Sequence, residues 1–195
     1  MAVITAPQSI PGDEQLLARW AGGDRAALED LFQRYRSVAY RVAHRLLGND
    51  ADALDAVQDG FVKAWTHLPG FQGRSTFKTW LLRVVSNASL DLGRQRGRRE
   101  SLNAEGSPQR DGREPSARED PAGGLERADL RRRLNQALAT LPEAQRRTFV
   151  LHAEAELSYR EVAEVMGISI GTVMSRLYYA RQKLRAFLAP LMREI

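Results

Sequence analysis

Apolar residues along this chain recur at steps of three and four, and nowhere do they alternate with polar residues at a period of two. The pattern predicts helices and no sheet. A short helix starts near Asp13, with Leu16, Leu17 and Trp20 on its apolar side, and stops at Gly22-Gly23. Asp24 is an N-cap for a longer helix in which Leu28, Leu31, Phe32, Tyr35, Val38, Ala39, Val42 and Leu46 share one side; Gly48 or Asn49 closes it. Asp50 or Asp52 then caps a third helix, whose expected buried stripe is Leu54, Val57, Phe61, Trp65 and Leu68. Pro69-Gly70 ends that helix. After the loop Gly70 to Arg74, Ser75 is the expected cap of a fourth helix. Phe77, Trp80, Leu81, Val84, Val85, Ala88 and Leu92 lie along its apolar side, and it runs into the basic run Arg94 to Arg99.

The pattern then lapses. Gly97 to Gly124 holds five glycines, three prolines and, among large apolar residues, only Leu102. Such a stretch forms no core. As a coil its 28 residues would span roughly 30 Å. Periodicity resumes over Leu125 to Leu138, where Leu130, Leu134, Ala137 and Leu138 are expected to face inward, and Pro142 marks a helix restart. The last segment, Leu157 to Arg185, reads as a helix-turn-helix. Ser158 and Glu161 form a capping box, and Val162, Ala163 and Met166 give one buried face. Gly167 supplies the turn, and Ile170, Val173 and Leu177 give the other face. The expected fold is all-α: two small helical domains (13–96 and 125–195) joined by a flexible linker (97–124), behind a flexible N-terminus (1–12), with the helix-turn-helix at the C-terminal end.

Charge adds a direction to this picture. The 195 residues carry a net charge of +5, and the sequence pI near 10.0 favours a polyanionic partner. The charges are segregated. Asp50, Asp52, Asp55 and Asp59 occur within ten residues that hold no base, whereas Gln72 to Arg99 has seven bases against Asp91 alone. The second helix of the helix-turn-helix has no acid from Ser169 to Phe187 and four bases, Arg176, Arg181, Lys183 and Arg185. A helix entering the major groove needs that balance. The chain lacks cysteine, and His44, His67 and His152 are scattered, so neither a disulfide nor a metal centre is expected. No nucleophile constellation or phosphate loop is present, which points away from an enzyme and from any cofactor. With no apolar run near the roughly 20 residues a bilayer requires, and no signal peptide in Met1 to Pro11, a cytoplasmic protein without membrane insertion is expected.

Three blocks carry a family resemblance. LDAVQDGFVKAW (Leu54 to Trp65), FQGRSTFKTWLLRVVSNASLD (Phe71 to Asp91) and LPEAQRRTFVLHAEAELSYREVAEVMGISIGTVMSRL (Leu141 to Leu177) occur in this order. Together they resemble the extracytoplasmic-function group of bacterial sigma factors, in the primary sigma-factor family. The resemblance implies core RNA polymerase and promoter DNA as partners. An anti-sigma factor is a common partner in that group, and no residue here demonstrates one. Asp55, Gln58 and Asp59, which share a helix face, would dock on the polymerase clamp. Lys63, Phe71 and Asn87 match the family's pocket for a flipped non-template base of the −10 element, where stacking and edge hydrogen bonds are needed. Lys78, Arg83 and Arg94 would contact −10 phosphates, together with Arg96, Arg98 and Arg99.

In the third block, Ser169, Thr172, Met174, Ser175, Arg176, Tyr179 and Arg181 are placed to meet −35 DNA. Family members often carry Arg or Lys where this chain has Met174, and Arg where it has Tyr179. Fewer bidentate guanine contacts are then available, and the −35 reading shifts toward apolar contact and DNA shape. Two other classes stay open on the residues alone. One is a stand-alone helix-turn-helix regulator with a sensing or dimerising bundle. The other is an adaptor that binds only another regulator.

Overall fold

A computed structural model describes residues 11–104 and 124–189, with the side chains of 103, 104, 124–128 and 131 excepted. The described residues form eight α-helices: α1 (Asp13–Ala21), α2 (Arg25–Leu47), α3 (Asp50–His67), α4 (Phe77–Ala104), α5 (Gly124–Ala139), α6 (Glu143–Ala153), α7 (Tyr159–Met166) and α8 (Ile170–Leu188), with a 3-10 turn at Leu68–Gly70. They contain no strand. The fold is all-α, as the periodicity predicts.

The helix starts follow hydrogen-bonding chemistry, in places one residue away from expectation. The Asp24 carboxylate accepts from the Ala26 amide at 3.0 Å at the start of α2. Bonded also to Arg19, that carboxyl sits below the usual aspartate range. At α3 the cap is Asn49 rather than Asp50 or Asp52: its side-chain oxygen accepts from the Asp52 amide at 2.8 Å, and its amide donates to the Asp52 carboxylate. A neutral amide can serve both partners at once, which a carboxylate cannot. At α4 the cap is Thr76 rather than Ser75, its hydroxyl accepting from the Thr79 amide at 3.1 Å.

The buried face of α3 differs most from expectation. Ala53, Ala56, Val57, Gly60 and Ala64 are buried, whereas Leu54 and Trp65 of the expected stripe are more than half exposed. Small residues win here because α3 and α4 pack backbone to backbone: a Cβ on Gly60 would lie 3.0 Å from the Val85 Cα. Two further inward assignments are corrected, since Leu130 and Ile170 are exposed. Neither helix needs them, because Ala137 and Leu138, and Val173, Leu177, Ala180 and Leu184, already fill the core side.

The chain divides after Ser37 into two compact units. In the first, Arg34 donates to the Asp13 carboxylate and the Pro11 carbonyl, both at 2.5 Å, tying α2 to the start of α1. In the second, one continuous core joins Val42, Leu46 and Leu82 to Leu138, Leu151, Leu157, Val162, Leu177 and Leu184. The helices from both sides of the expected linker therefore share a core. Arg45 anchors that junction, bonding Glu154 at 2.7 Å and Asn135 at 2.8 Å. The expected coil at 97–124 is helical through Ala104 in α4 and again from Gly124 in α5. Its remainder, 105–123, and residues 1–10 of the expected flexible N-terminus lie outside the described residues.

Candidate nucleic-acid interface

The helix-turn-helix is built from α7 and α8. The Ser158 hydroxyl accepts from the Glu161 amide, while the Glu161 carboxylate accepts from the Ser158 amide at 2.8 Å. That reciprocal cap starts α7. Gly167 ends it in the left-handed region (φ 65°, ψ 38°), a conformation that costs a side-chain-bearing residue free energy. The Ser169 hydroxyl then caps α8 through the Thr172 amide at 3.1 Å and meets the Thr172 hydroxyl at 2.9 Å. Those two hydroxyls hold the helix start, so fewer of their lone pairs are left for a ligand.

Beyond the cap, α8 presents a mixed face. Ile170, Met174 and Tyr178, four residues apart, are exposed along one line, with Tyr179 beside them. The Tyr178 and Tyr179 rings meet edge to face at 5.4 Å. Ser175 and Arg181 are exposed and Arg176 is half-buried. A thioether, a branched alkyl group and two phenols flanked by cations suit a surface with apolar spots set among phosphates, as thymine methyls are in a major groove.

Across α3, Asp55, Gln58 and Asp59 are all exposed. Asp59 pairs with Lys63 one turn on, at 2.7 Å. Asp55, Asp59 and Lys63 line a groove whose other wall is α4, with Asp91, Leu92 and Arg94. Leu54 and Val62 are 55% and 60% exposed, and Trp65 is 52% exposed. The acid-amide-acid stripe thus has apolar neighbours that the sequence reading placed in the core or passed over. The signal that finds them is the row Ala53, Ala56, Gly60, Ala64, which claims the buried side of α3.

Lys63, Phe71 and Asn87 occupy three separate environments. Lys63 lies in the groove. Phe71 is half-buried, its ring 5.2 Å from Trp80 and 6.2 Å, edge on, from Phe77. Asn87 is exposed on α4 and its side-chain oxygen accepts from Arg147 of α6 at 2.6 Å. The α4 cations are engaged too. Arg83 donates to the Val165 carbonyl at 3.3 Å, and Arg94 pairs with Glu143 at 2.6 Å. Arg96 pairs with Asp52 at 2.6 Å and with Glu100 at 2.7 Å. Lys78 contributes to holding the Glu161 carboxyl low. Burial pushes the Arg147 guanidinium down to about 10, helped by the like charges of Arg83 and Arg94.

Among the described residues no cluster of His, Cys, Asp and Glu could hold a metal ion. None of the described helices is long and apolar enough to cross a membrane.

The chain is similar to known proteins over most of its length. Residues 31–99 match the family model for sigma-70 region 2, and residues 131–184 match that for sigma-70 region 4. The chain is 36% identical over 172 residues to the ECF RNA polymerase sigma factor SigE of Mycolicibacterium smegmatis, covering 87% of this chain and 65% of that protein. It is 32% identical over 186 residues to the RNA polymerase sigma-H factor of Pseudomonas aeruginosa, covering 93% and 96%. Two solved structures are similar. CnrH in complex with the cytosolic domain of CnrY matches with a TM-score of 0.68 at 29% identity, over 91% of this chain and 97% of that one. The sigma factor RpoE with the anti-sigma factor NepR, from Bartonella quintana, matches at 0.64 and 31% identity, over 83% and 98%.

Proposed function

Because the chain belongs to the sigma-70 family, in its extracytoplasmic-function group, we propose that it binds core RNA polymerase and directs it to promoters through two separate DNA-reading surfaces. The family assignment rests on regions 2 and 4 and does not extend to the primary sigma factors. The observation that carries the proposal is the pairing, in one chain and in order, of a region 2 match with a region 4 match. A stand-alone helix-turn-helix regulator accounts for the second match only.

In this reading Asp55, Gln58 and Asp59 dock on a basic surface of the polymerase, and Leu54, Val62 and Trp65 supply the apolar area that such a contact needs. Lys63, Phe71 and Asn87 serve the −10 element, with Lys78, Arg83 and Arg94 on its phosphates. Phe71 brings an aromatic face already flanked by Trp80 and Phe77, a surface on which a base can stack. Residues 13–96 and 125–195 would be the polymerase-and-−10 and the −35 modules, with the linker 97–124 between them. Ser169, Thr172, Met174, Ser175, Arg176, Tyr179 and Arg181 face the −35 element.

The α8 surface supports a reading led by apolar contacts, since Met174 and Tyr179 are exposed where guanidinium groups would otherwise reach guanine. Synthesis of RNA belongs to the polymerase, and this chain acts as a cytoplasmic, non-enzymatic initiation factor without a cofactor. An anti-sigma factor is a further partner, in keeping with the structures of CnrH with CnrY and RpoE with NepR.

Run-off transcription with core polymerase on a promoter library tests the function as a whole. Promoter-specific transcripts that depend on this protein are expected; their absence overturns the reading. The docking face is tested by the Asp55→Ala, Gln58→Ala double variant. Unchanged binding to core polymerase would remove those residues from the interface.

A further inference from the structure

We propose that Met174 is a redox modification site: a hydroperoxide oxidises its thioether to the sulfoxide, and the oxidised protein favours a different base at the −35 position that Met174 meets. The change in base choice rests on the −35 reading of α8 proposed above. The oxidation itself rests on exposure and chemistry alone.

The chain has four methionines and no cysteine, so its sulfur is all thioether. Met1 and Met192 lie outside the described residues. The other two differ in setting. Met166, the last residue of α7, is half-buried and packs against the core. Met174, on the second turn of α8, is 55% exposed. A peroxide must reach a sulfur lone pair to react, so selectivity follows exposure and favours Met174.

The neighbours of Met174 give its oxidation a consequence. Ile170 lies one turn before it and Tyr178 one turn after, both exposed. Met174 is therefore the middle of an apolar line on a helix with four bases and no acid from Ser169 to Phe187. In a major groove a thioether can meet a thymine methyl and leave no polar group unsatisfied. The sulfoxide places a strong acceptor oxygen on the same side chain. Set against a methyl group, that oxygen loses water and gains no hydrogen bond. Set against the amino group of cytosine or adenine, it is satisfied. Arg176, Arg181, Lys183 and Arg185 keep their charge in both forms, so binding to the DNA backbone persists while the favoured base pair changes.

The step balances with hydrogen peroxide as oxidant. The sulfur lone pair attacks one peroxide oxygen, the S–O bond forms and the O–O bond breaks. The second oxygen takes the proton of the first and leaves as water. Sulfur gives up two electrons and the peroxide accepts them. The sulfoxide is reversible, each epimer being reduced by its own reductase, so the change can be reset.

The test treats the full-length protein with graded hydrogen peroxide and reads each methionine by peptide mass spectrometry. Binding to a set of −35 duplexes substituted one base pair at a time follows. We expect sulfoxide at Met174 before Met166, and a loss of about tenfold for the duplex that the untreated protein prefers. Duplexes that place an amino-bearing base at that position should gain relative to it, and treatment with both classes of methionine sulfoxide reductase should restore the first preference. M166L should respond to peroxide as the parent does, and M174L should not respond.

Oxidation of Met166 as fast as Met174 would overturn the site. A response that M174L keeps or M166L loses belongs to another methionine and overturns it equally. Complete oxidation of Met174 with base preference unchanged would overturn the switch, and M174A then shows which premise failed. If M174A also keeps the parent preference, Met174 does not read the −35 element. If M174A relaxes that preference and the sulfoxide does not, the −35 reading stands and the redox switch alone falls.

Discussion

Gly60 of α3 lies against Val85 of α4 so closely that an added Cβ would meet the Val85 Cα and Cγ2, each at 3.0 Å. A contact with a backbone atom cannot be relieved by a rotamer change. Alanine at 60 gains about 1 kcal/mol of helix propensity and spends it on separating the helices. Gly60→Val, which adds bulk without that gain, should destabilise by about 1–3 kcal/mol. Thermal or urea denaturation of the two variants beside the parent measures the difference. A Gly60→Val protein as stable as the parent would show that α3 and α4 are not held at this distance.

The exposed side of α3 should behave in the opposite way. Leu54 and Val62 are mostly in water, so Leu54→Ala and Val62→Ala should change stability by no more than about 0.5 kcal/mol. If the apolar edge of the acidic stripe buries against core polymerase, the pair should lower that affinity about tenfold or more, which is the scale of one or two kcal/mol. Titration of labelled core polymerase with each variant reports it.

The capping box of α7 gives a pH-dependent effect. Burial raises the Glu161 carboxyl, but the hydroxyl and amide of Ser158, the Thr79 hydroxyl and the charge of Lys78 together bring it below its ordinary value of 4.5. A carboxyl depressed by folding stabilises the native state above its unfolded pKa, and this contribution is lost as pH falls through the folded one. Ser158→Ala should cost about 1 kcal/mol near neutrality and less at pH 3, where the carboxylate is being protonated in both proteins. Denaturant midpoints at the two pH values decide the matter.

On α8, phosphate contacts and base contacts should separate by salt. Arg181→Ala should weaken −35 duplex binding across all sequences and reduce the salt slope by about one. Met174→Ala should leave the slope unchanged and relax preference at one or two base pairs. Binding isotherms at several salt concentrations on a set of point-substituted duplexes measure both. Equal slopes for Arg181→Ala and the parent would remove Arg181 from the phosphate contacts.

Much of the architecture was legible in the sequence because helix periodicity, caps and turns are local. The Ser158–Glu161 box and the Gly167 turn lie where short-range chemistry puts them. The buried face of α3 is not legible from hydrophobicity, because close helix packing selects by size, leaving Leu54 and Trp65 outside and Ala53, Ala56 and Gly60 inside. Leu130 and Ile170 erred for a related reason: periodicity marks a face without saying how wide the core is. The engagement of Asn87 by Arg147 across 60 residues of sequence was not legible at all, since no local pattern encodes which two polar groups distant in sequence will meet.

Thr79 and Ser86 sit within the covered face of α4, almost wholly buried, yet both are hydroxyl residues rather than valines or leucines. The Ser86 hydroxyl also bonds back to the Arg83 carbonyl at 3.3 Å, and Thr79 shares its hydroxyl with Thr76 at 2.8 Å. Each has a partner on its own segment, so uncovering them strands no polar group, and water can replace what departs. An aliphatic face of the same shape would become a sticky patch as soon as it was bared. With these two side chains, α4 has a seam whose buried hydroxyls are each satisfied from their own segment, whatever packs against it.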